Sequence, residues 1–175
     1  KNIQNAGVVL GEGYSSWTLA ENVCYYANAI AEELVDEEEL AKSTQLEIRA
    51  VSEIVAQYRR LLRDENALDF STIQCVAYRM LVDNPDICQK LQEKIQYIMI
   101  DEYQDTNYVQ EQLVMLLGAK HNNICVVGDD DQGLYRFRGA TIRNILEFPQ
   151  KFYNCKKFVL SENYRSEKDI IRFYN

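Results

Sequence analysis

Two adjacent carboxylates, Asp101 and Glu102, close an apolar stretch that runs from Ile95 to Ile100. A buried strand that delivers paired acids at its C-terminal end suits phosphate chemistry. One acid can hold a Mg²⁺ shell, and its neighbour can orient an attacking water. An acidic pair alone carries little weight, because strands often end in acidic turns. The longer run Ile98-Met-Ile-Asp-Glu-Tyr-Gln-Asp-Thr-Asn107 is far more specific. Two more runs lie downstream. One is Val126-Val-Gly-Asp-Asp-Asp-Gln-Gly-Leu-Tyr-Arg-Phe-Arg-Gly-Ala140, and the other is Leu160-Ser-Glu-Asn-Tyr-Arg-Ser166. In the first of these, Asp129, Asp130 and Asp131 lack the spacing of an EF-hand calcium loop. Tyr135 and Phe137 alternate, so they share one side of an extended chain. An isolated aromatic pair usually packs in a core, but Arg136, Arg138 and Gly139 around this one favour exposure.

The bulk properties remove several other chemistries. The 175 residues are 47% hydrophobic, enough for one ordinary core or a core with a small appendage. No apolar run approaches the roughly 18 residues that span a membrane, and no signal peptide is visible. The five cysteines are scattered without a CxxC pair, which favours reduced thiols over a disulfide framework or a zinc site. His121 is the only histidine, so Ser-His or Cys-His catalysis would rest on one residue. A net charge of −8 argues against a strongly basic nucleic-acid binder, though not against a narrow DNA groove. Much of that charge sits in the Glu32 to Glu39 run, a solvated helix face or turn, and in the motif carboxylates.

The elements that must position these residues follow from periodicity. The first 18 or so residues hold three of the seven glycines and read as loop. Val23, Tyr26, Ile30 and Leu34 place a helix over Leu19 to Leu34. A longer helix is expected from Asp36 to Arg63, uninterrupted by Gly or Pro. Ser71 to Val82 reads as a helix capped by Ser71 or Asp69 and ended by Asn84-Pro85, with a short helix over Asp86 to Lys94. Tyr97 to Ile100 is expected as a strand apolar on both faces, and Asn123 to Val127 as a second one closed by Gly128. Asn107 to Leu117 forms the helix between them. Thr141 to Phe148 is a helix stopping at Pro149, Lys157 to Leu160 a third strand, and Ser166 the cap of a last helix with Asp169 in a box-like position. Acids at the ends of strands that alternate with helices imply a parallel α/β sheet with its site at the C-terminal strand edge.

Together the three runs resemble motifs II, III and IV of UvrD/Rep-type superfamily 1 DNA helicases. Ala67-Leu-Asp-Phe70 resembles a shorter signature of the same family, and the resemblance covers residues from Ala67 to Ser166 in the expected order. It implies a partial RecA-like sheet of the P-loop NTPase type, with an N-terminal helical subdomain. Residues 1–63 then correspond to the inserted helical subdomain, 64–160 to the C-terminal part of the first motor domain, and 161–175 to motif IV and the start of the connection to the second motor domain. The resemblance also implies ATP and Mg²⁺ as cofactors, with Asp101 on the metal and Glu102 as base or positioning residue for the attacking water. Gln132 would sense the γ-phosphate, Arg165 would reach it, and Tyr164 would stack on adenine. Tyr135, Phe137 and Arg138 would contact single-stranded or duplex-junction DNA. Tyr103 stands where Phe is more usual, and Gly133 where Ser is often found. Gln104, Asp105 and Asn107 lie where the ATP side would be coupled to the DNA side, with partners the sequence does not reveal.

The chain starts at Lys1 and contains no GxxxxGK[ST] phosphate loop; Gly11-Glu-Gly13 is not one. It therefore reads as the middle of a longer, cytoplasmic and nucleoid-associated 3′→5′ helicase, inert by itself. Without the phosphate-loop strand, Asn123 to Val127 is expected either to leave an open edge that pairs with a second copy or to lie against Lys157 to Leu160. Two alternatives remain: a non-catalytic DNA-binding scaffold, and the motor of a helicase-nuclease.

Overall fold

The computed structural model describes residues 15–129, 142–152 and 154–174. Helix α1 spans Ser16–Glu32 and is capped by Ser15, whose side chain accepts from the Thr18 amide. The start is earlier than the expected Leu19, because that cap satisfies an otherwise orphaned amide. Helices α2 (Glu37–Ala41) and α3 (Leu46–Asp64) replace the single helix expected from Asp36 to Arg63. The break has a local cause. Asp36 caps α2 through the amides of Glu38 and Glu39, but at the break Ser43 takes the amide of Gln45, so a short polar side chain competes with the helical ladder. The absence of Gly and Pro was not enough to keep one helix.

Ala27, Ile30 and Val55 form the core between α1 and α3, with Val35, Leu40, Val51 and Tyr58 packed around it. Arg59 pairs with Glu37, tying α2 to α3. Helix α4 (Phe70–Asp83) lies against α1, where Ser71 Oγ donates to Glu32 Oε1 at 2.6 Å. Helix α5 (Pro85–Lys94) follows directly, with Pro85 in the first turn, where a missing N–H costs nothing.

Strands β1 (Ile98–Ile100) and β2 (Ile124–Val126) pair in parallel, Ile98 opposite Ile124 and Ile100 opposite Val126. Helix α6 (Tyr108–Gly118) makes the crossover, opened by a reciprocal cap between Asn107 and Gln110. Its last residue packs closely on β2: a Cβ on Gly118 would meet Ile124 Cδ1 at 2.5 Å, so a larger residue would make the Ile124 side chain shift. The result is the expected α/β unit with a helical N-terminal part. Burial on both strand faces is not found, since Met99 is 80% exposed and Cys125 is exposed. Among the described residues, helices cover one face of this sheet only.

Three further expectations need correction. Residues Lys157 to Leu160 form no strand: Phe158, Val159 and Leu160 lie largely in solvent, without the backbone partner a ladder requires. Helix α7 (Ile142–Lys151) runs through Pro149 rather than stopping there. Proline there gives up the N–H that would bond to the Ile145 carbonyl, but Phe148 and Lys151 anchor the last turn by packing and by an ion pair. Helix α8 spans Lys168–Tyr174, so Ser166 does not cap it; the Glu167 carbonyl accepts from Ile170 and Ile171 instead.

Candidate nucleotide site at the end of strand β1

Asp101 and Glu102 leave the C-terminal end of β1 into solvent, as expected for the strand edge. Asp101 Oδ1 accepts from the Glu102 amide at 3.0 Å. Glu102 takes a left-handed backbone, φ 51° and ψ 43°, an uncommon conformation for a residue with a side chain. It opens a 3₁₀ turn, Tyr103–Asp105, that folds back under the strand ends. The turn is fixed to β2 by two backbone bonds, Val127 N to Ile100 O at 2.8 Å and Tyr103 N to Val127 O at 2.9 Å.

Gln104 sits beneath the acids, 1% exposed. Its Nε2 donates to Glu102 Oε2 at 2.6 Å, and its Oε1 accepts from the Asp129 amide at 3.0 Å. One side chain thus joins the loop after β1 to the loop after β2. Thr106 Oγ1 donates to the Tyr103 carbonyl, and Asn144 Nδ2 on α7 reaches the Thr106 carbonyl at 3.2 Å. Asn107 Nδ2 reaches Gln74 on α4 at 3.1 Å. Asp105 Oδ1 is buried with no hydrogen-bond partner among the described residues.

Tyr103, fully buried, carries the hydroxyl that the usual Phe lacks. That hydroxyl donates to Glu111 Oε1 at 3.2 Å, and Lys151 Nζ donates to the same oxygen at 2.6 Å. Burial first, and then Glu111, pushes the phenol pKa well up, so Tyr103 remains a neutral donor. Phe148 packs edge-on to its ring, centroids 5.4 Å apart. The sequence did not announce Glu111, Lys151 or Asn144. Only a buried Tyr hydroxyl in need of an acceptor signals the first two, and the acceptor lies eight residues away.

Asp69, in the shorter signature, is structural here. It caps α4 through the Thr72 amide at 2.6 Å and accepts from Tyr58 Oη at 2.8 Å. Burial pushes its pKa up, but the Thr72 and Tyr58 hydrogen bonds and Arg59 outweigh that and leave it lowered.

The other expected site residues fall into two groups. Gln132, Tyr135, Phe137 and Arg138 lie outside the described residues. Tyr164 and Arg165 are exposed, and their contacts are local: Tyr164 donates to Glu162, and Asn163 Oδ1 takes the amides of Arg165 and Ser166, both at 3.0 Å. No cluster of three or more metal-ligating side chains occurs among the described residues. A lone exposed Asp101 beside Glu102 suits Mg²⁺, which keeps several waters and shares its shell with phosphate oxygens.

The α/β unit with a helical N-terminal part is that of a partial RecA-like domain, and sequence comparison places it in a family. The model for the UvrD/REP helicase N-terminal domain matches residues 5–153. The chain is 42% identical over 127 residues to ATP-dependent DNA helicase PcrA of Bacillus subtilis, covering 73% of this chain and 17% of that protein. It is 40% identical over 134 residues to PcrA of Staphylococcus aureus, covering 77% and 18%. It is 41% identical over 132 residues to a probable DNA helicase II homolog of Rickettsia felis, covering 75% and 20%. The chain belongs to the UvrD/REP helicase family and spans about a fifth of the length of the curated relatives it matches. No helix among the described residues is long and apolar enough to cross a membrane.

Proposed function

We propose that this chain is part of the motor of an ATP-dependent DNA helicase that translocates 3′→5′ on single-stranded DNA, in the cytoplasm and at the nucleoid. The observation that carries this reading is the exposed acid pair at the end of β1, with Glu102 held by a buried amide within the family's βαβ unit. Asp101 holds Mg²⁺, directly or through water, and Glu102 orients the water that attacks the γ-phosphate. Gln132 senses that phosphate, Arg165 stabilises its charge, and Tyr164 stacks on adenine. Mg²⁺ bound there would neutralise phosphate charge. Tyr135 and Phe137 stack on DNA bases, each stack contributing roughly 1–3 kcal/mol without sequence preference, and Arg138 meets the backbone. Residues 1–63 are the end of the inserted helical subdomain, 64–160 the later part of the first motor domain, and 161–175 the lead into the second.

The test is DNA-stimulated ATP hydrolysis by the full-length protein that contains this segment. Glu102→Gln is expected to lower kcat by about 10²–10⁴-fold, the usual contribution of a positioned acid or base. Unchanged turnover in the variant refutes the assignment of Glu102. Loss of all activity in the parent, with DNA binding retained, favours the non-catalytic scaffold. By themselves the 175 residues, lacking a phosphate loop, are expected to hydrolyse no ATP. They are also expected to self-associate through the open edge of the two-stranded sheet. Light scattering that finds only monomer at high concentration rejects the edge-paired dimer.

A further inference from the structure

We propose that Gln104 is a positioning residue for hydrolysis: it sets the Glu102 carboxylate and makes its orientation depend on the loop that follows β2. The proposal rests on Glu102 being the acid that orients water, and it names what controls that acid.

Two hydrogen bonds define the Gln104 amide, and they fix which end is which. Glu102 Oε2 can only accept and the Asp129 backbone N–H can only donate, so Nε2 must face Glu102 and Oε1 must face Asp129. No other standard side chain of this length offers a donor and an acceptor at once. With 1% of the residue exposed, water does not substitute for either bond. The left-handed backbone of Glu102 turns its carboxylate back over the turn, within reach of a side chain two residues on.

The slot for the amide is shaped by Gly128. A Cβ there would stand 2.5 Å from Gln104 Oε1 and 2.7 Å from Ile145 Cδ1, so β2 can approach this closely only as glycine. The backbone bonds between Val127 and both Ile100 and Tyr103 hold the two loops in register. Displacement of Asp129 therefore releases Oε1, frees the amide to turn, and removes the donor that orients Glu102. In sequence Asp129 leads straight into the run that carries Gln132, Tyr135 and Phe137. Gln104 thus makes the water-orienting acid responsive to whatever those residues bind.

The test uses the full-length protein, with ATP and oligothymidylate as probes, and compares Gln104→Glu, Gln104→Leu and Glu102→Gln. Gln104→Glu keeps the size and the bond to Asp129 N–H but sets a second carboxylate against Glu102. It is expected to lower kcat at neutral pH by roughly 10–100-fold with KM for ATP unchanged, as loss of an orienting partner does. Gln104→Leu is expected to lose kcat likewise, again with KM for ATP unchanged, and both variants lose part of the DNA stimulation. A general packing defect would lower turnover with and without DNA alike and leave the stimulation ratio where it was. If Glu102→Gln abolishes hydrolysis while Gln104→Glu keeps the parental kcat and DNA stimulation, the positioning role is overturned and the role of Glu102 stands. If Glu102→Gln still hydrolyses ATP, the reading beneath the proposal falls with it. Should Gln104→Leu fail to fold, the isosteric Gln104→Glu decides the matter through its kcat and its stimulation ratio.

Discussion

Residues 98–107 and 157–166 both carry runs that resemble family motifs, yet the structure treats them in opposite ways. In the first, Tyr103 and Gln104 are at most 1% exposed, and every turn of the chain is tied to α4, α6, α7 or β2. In the second, Phe158, Leu160 and Tyr164 are more than 80% exposed, and the hydrogen bonds reach no further than three residues. A motif thus specifies chemistry without supplying the partners that place it. The first segment finds its partners within this chain. The apolar residues of the second have none among the described residues.

The largest expected effect exploits that asymmetry. In the full-length protein, Arg165→Ala should lower kcat by about 10³–10⁵-fold, the range for an arginine at a phosphoryl-transfer transition state. In the 175-residue chain the same change should leave the urea midpoint where it was, because Arg165 is exposed. A destabilised chain would mean that the segment has packing partners after all.

The opposite outcome is expected in the packed segment. Glu111→Ala removes the shared acceptor of Lys151 and Tyr103. It should cost about 3 kcal/mol in urea denaturation, the low end for a broken buried pair because the Lys151 side chain is 32% exposed. A loss below about 1 kcal/mol would show that the pair merely breaks even against its desolvation.

A smaller effect belongs to the helical end of the chain. Tyr58→Phe deletes the hydrogen bond to Asp69 and should cost about 1 kcal/mol near neutral pH. The folded-state pKa of Asp69 is lowered, so its stabilisation is present above the unfolded value of about 3.9 and is lost as pH falls through the folded one. The difference between wild type and variant should therefore shrink in denaturation series run below about pH 4. A difference that stays constant into acid would assign the cost to packing rather than to Asp69.

Much of the fold was legible because its cues are local. Asp69 and Asn107 cap the helices they precede, Asn84-Pro85 separates α4 from α5, and two short apolar runs end in Asp101 and Gly128. Local cues also misled. Ser43 outcompeted a helix that propensity favoured, Pro149 was absorbed into a last turn held by Glu111, and the Val159 region met no strand to pair with among the described residues.

The sequence by itself determined the family, through runs whose wording is specific to it, and singled out Asp101, Glu102 and Arg165 as candidates for its chemistry. Only the tertiary structure decided which distant groups the packed residues meet. Gln104 meets Asp129 across 25 residues, and Glu111 meets Lys151 across 40. Hydrogen bonds at such separations depend on how β1, β2, α6 and α7 come together, and no local periodicity encodes which buried donor will meet which acceptor.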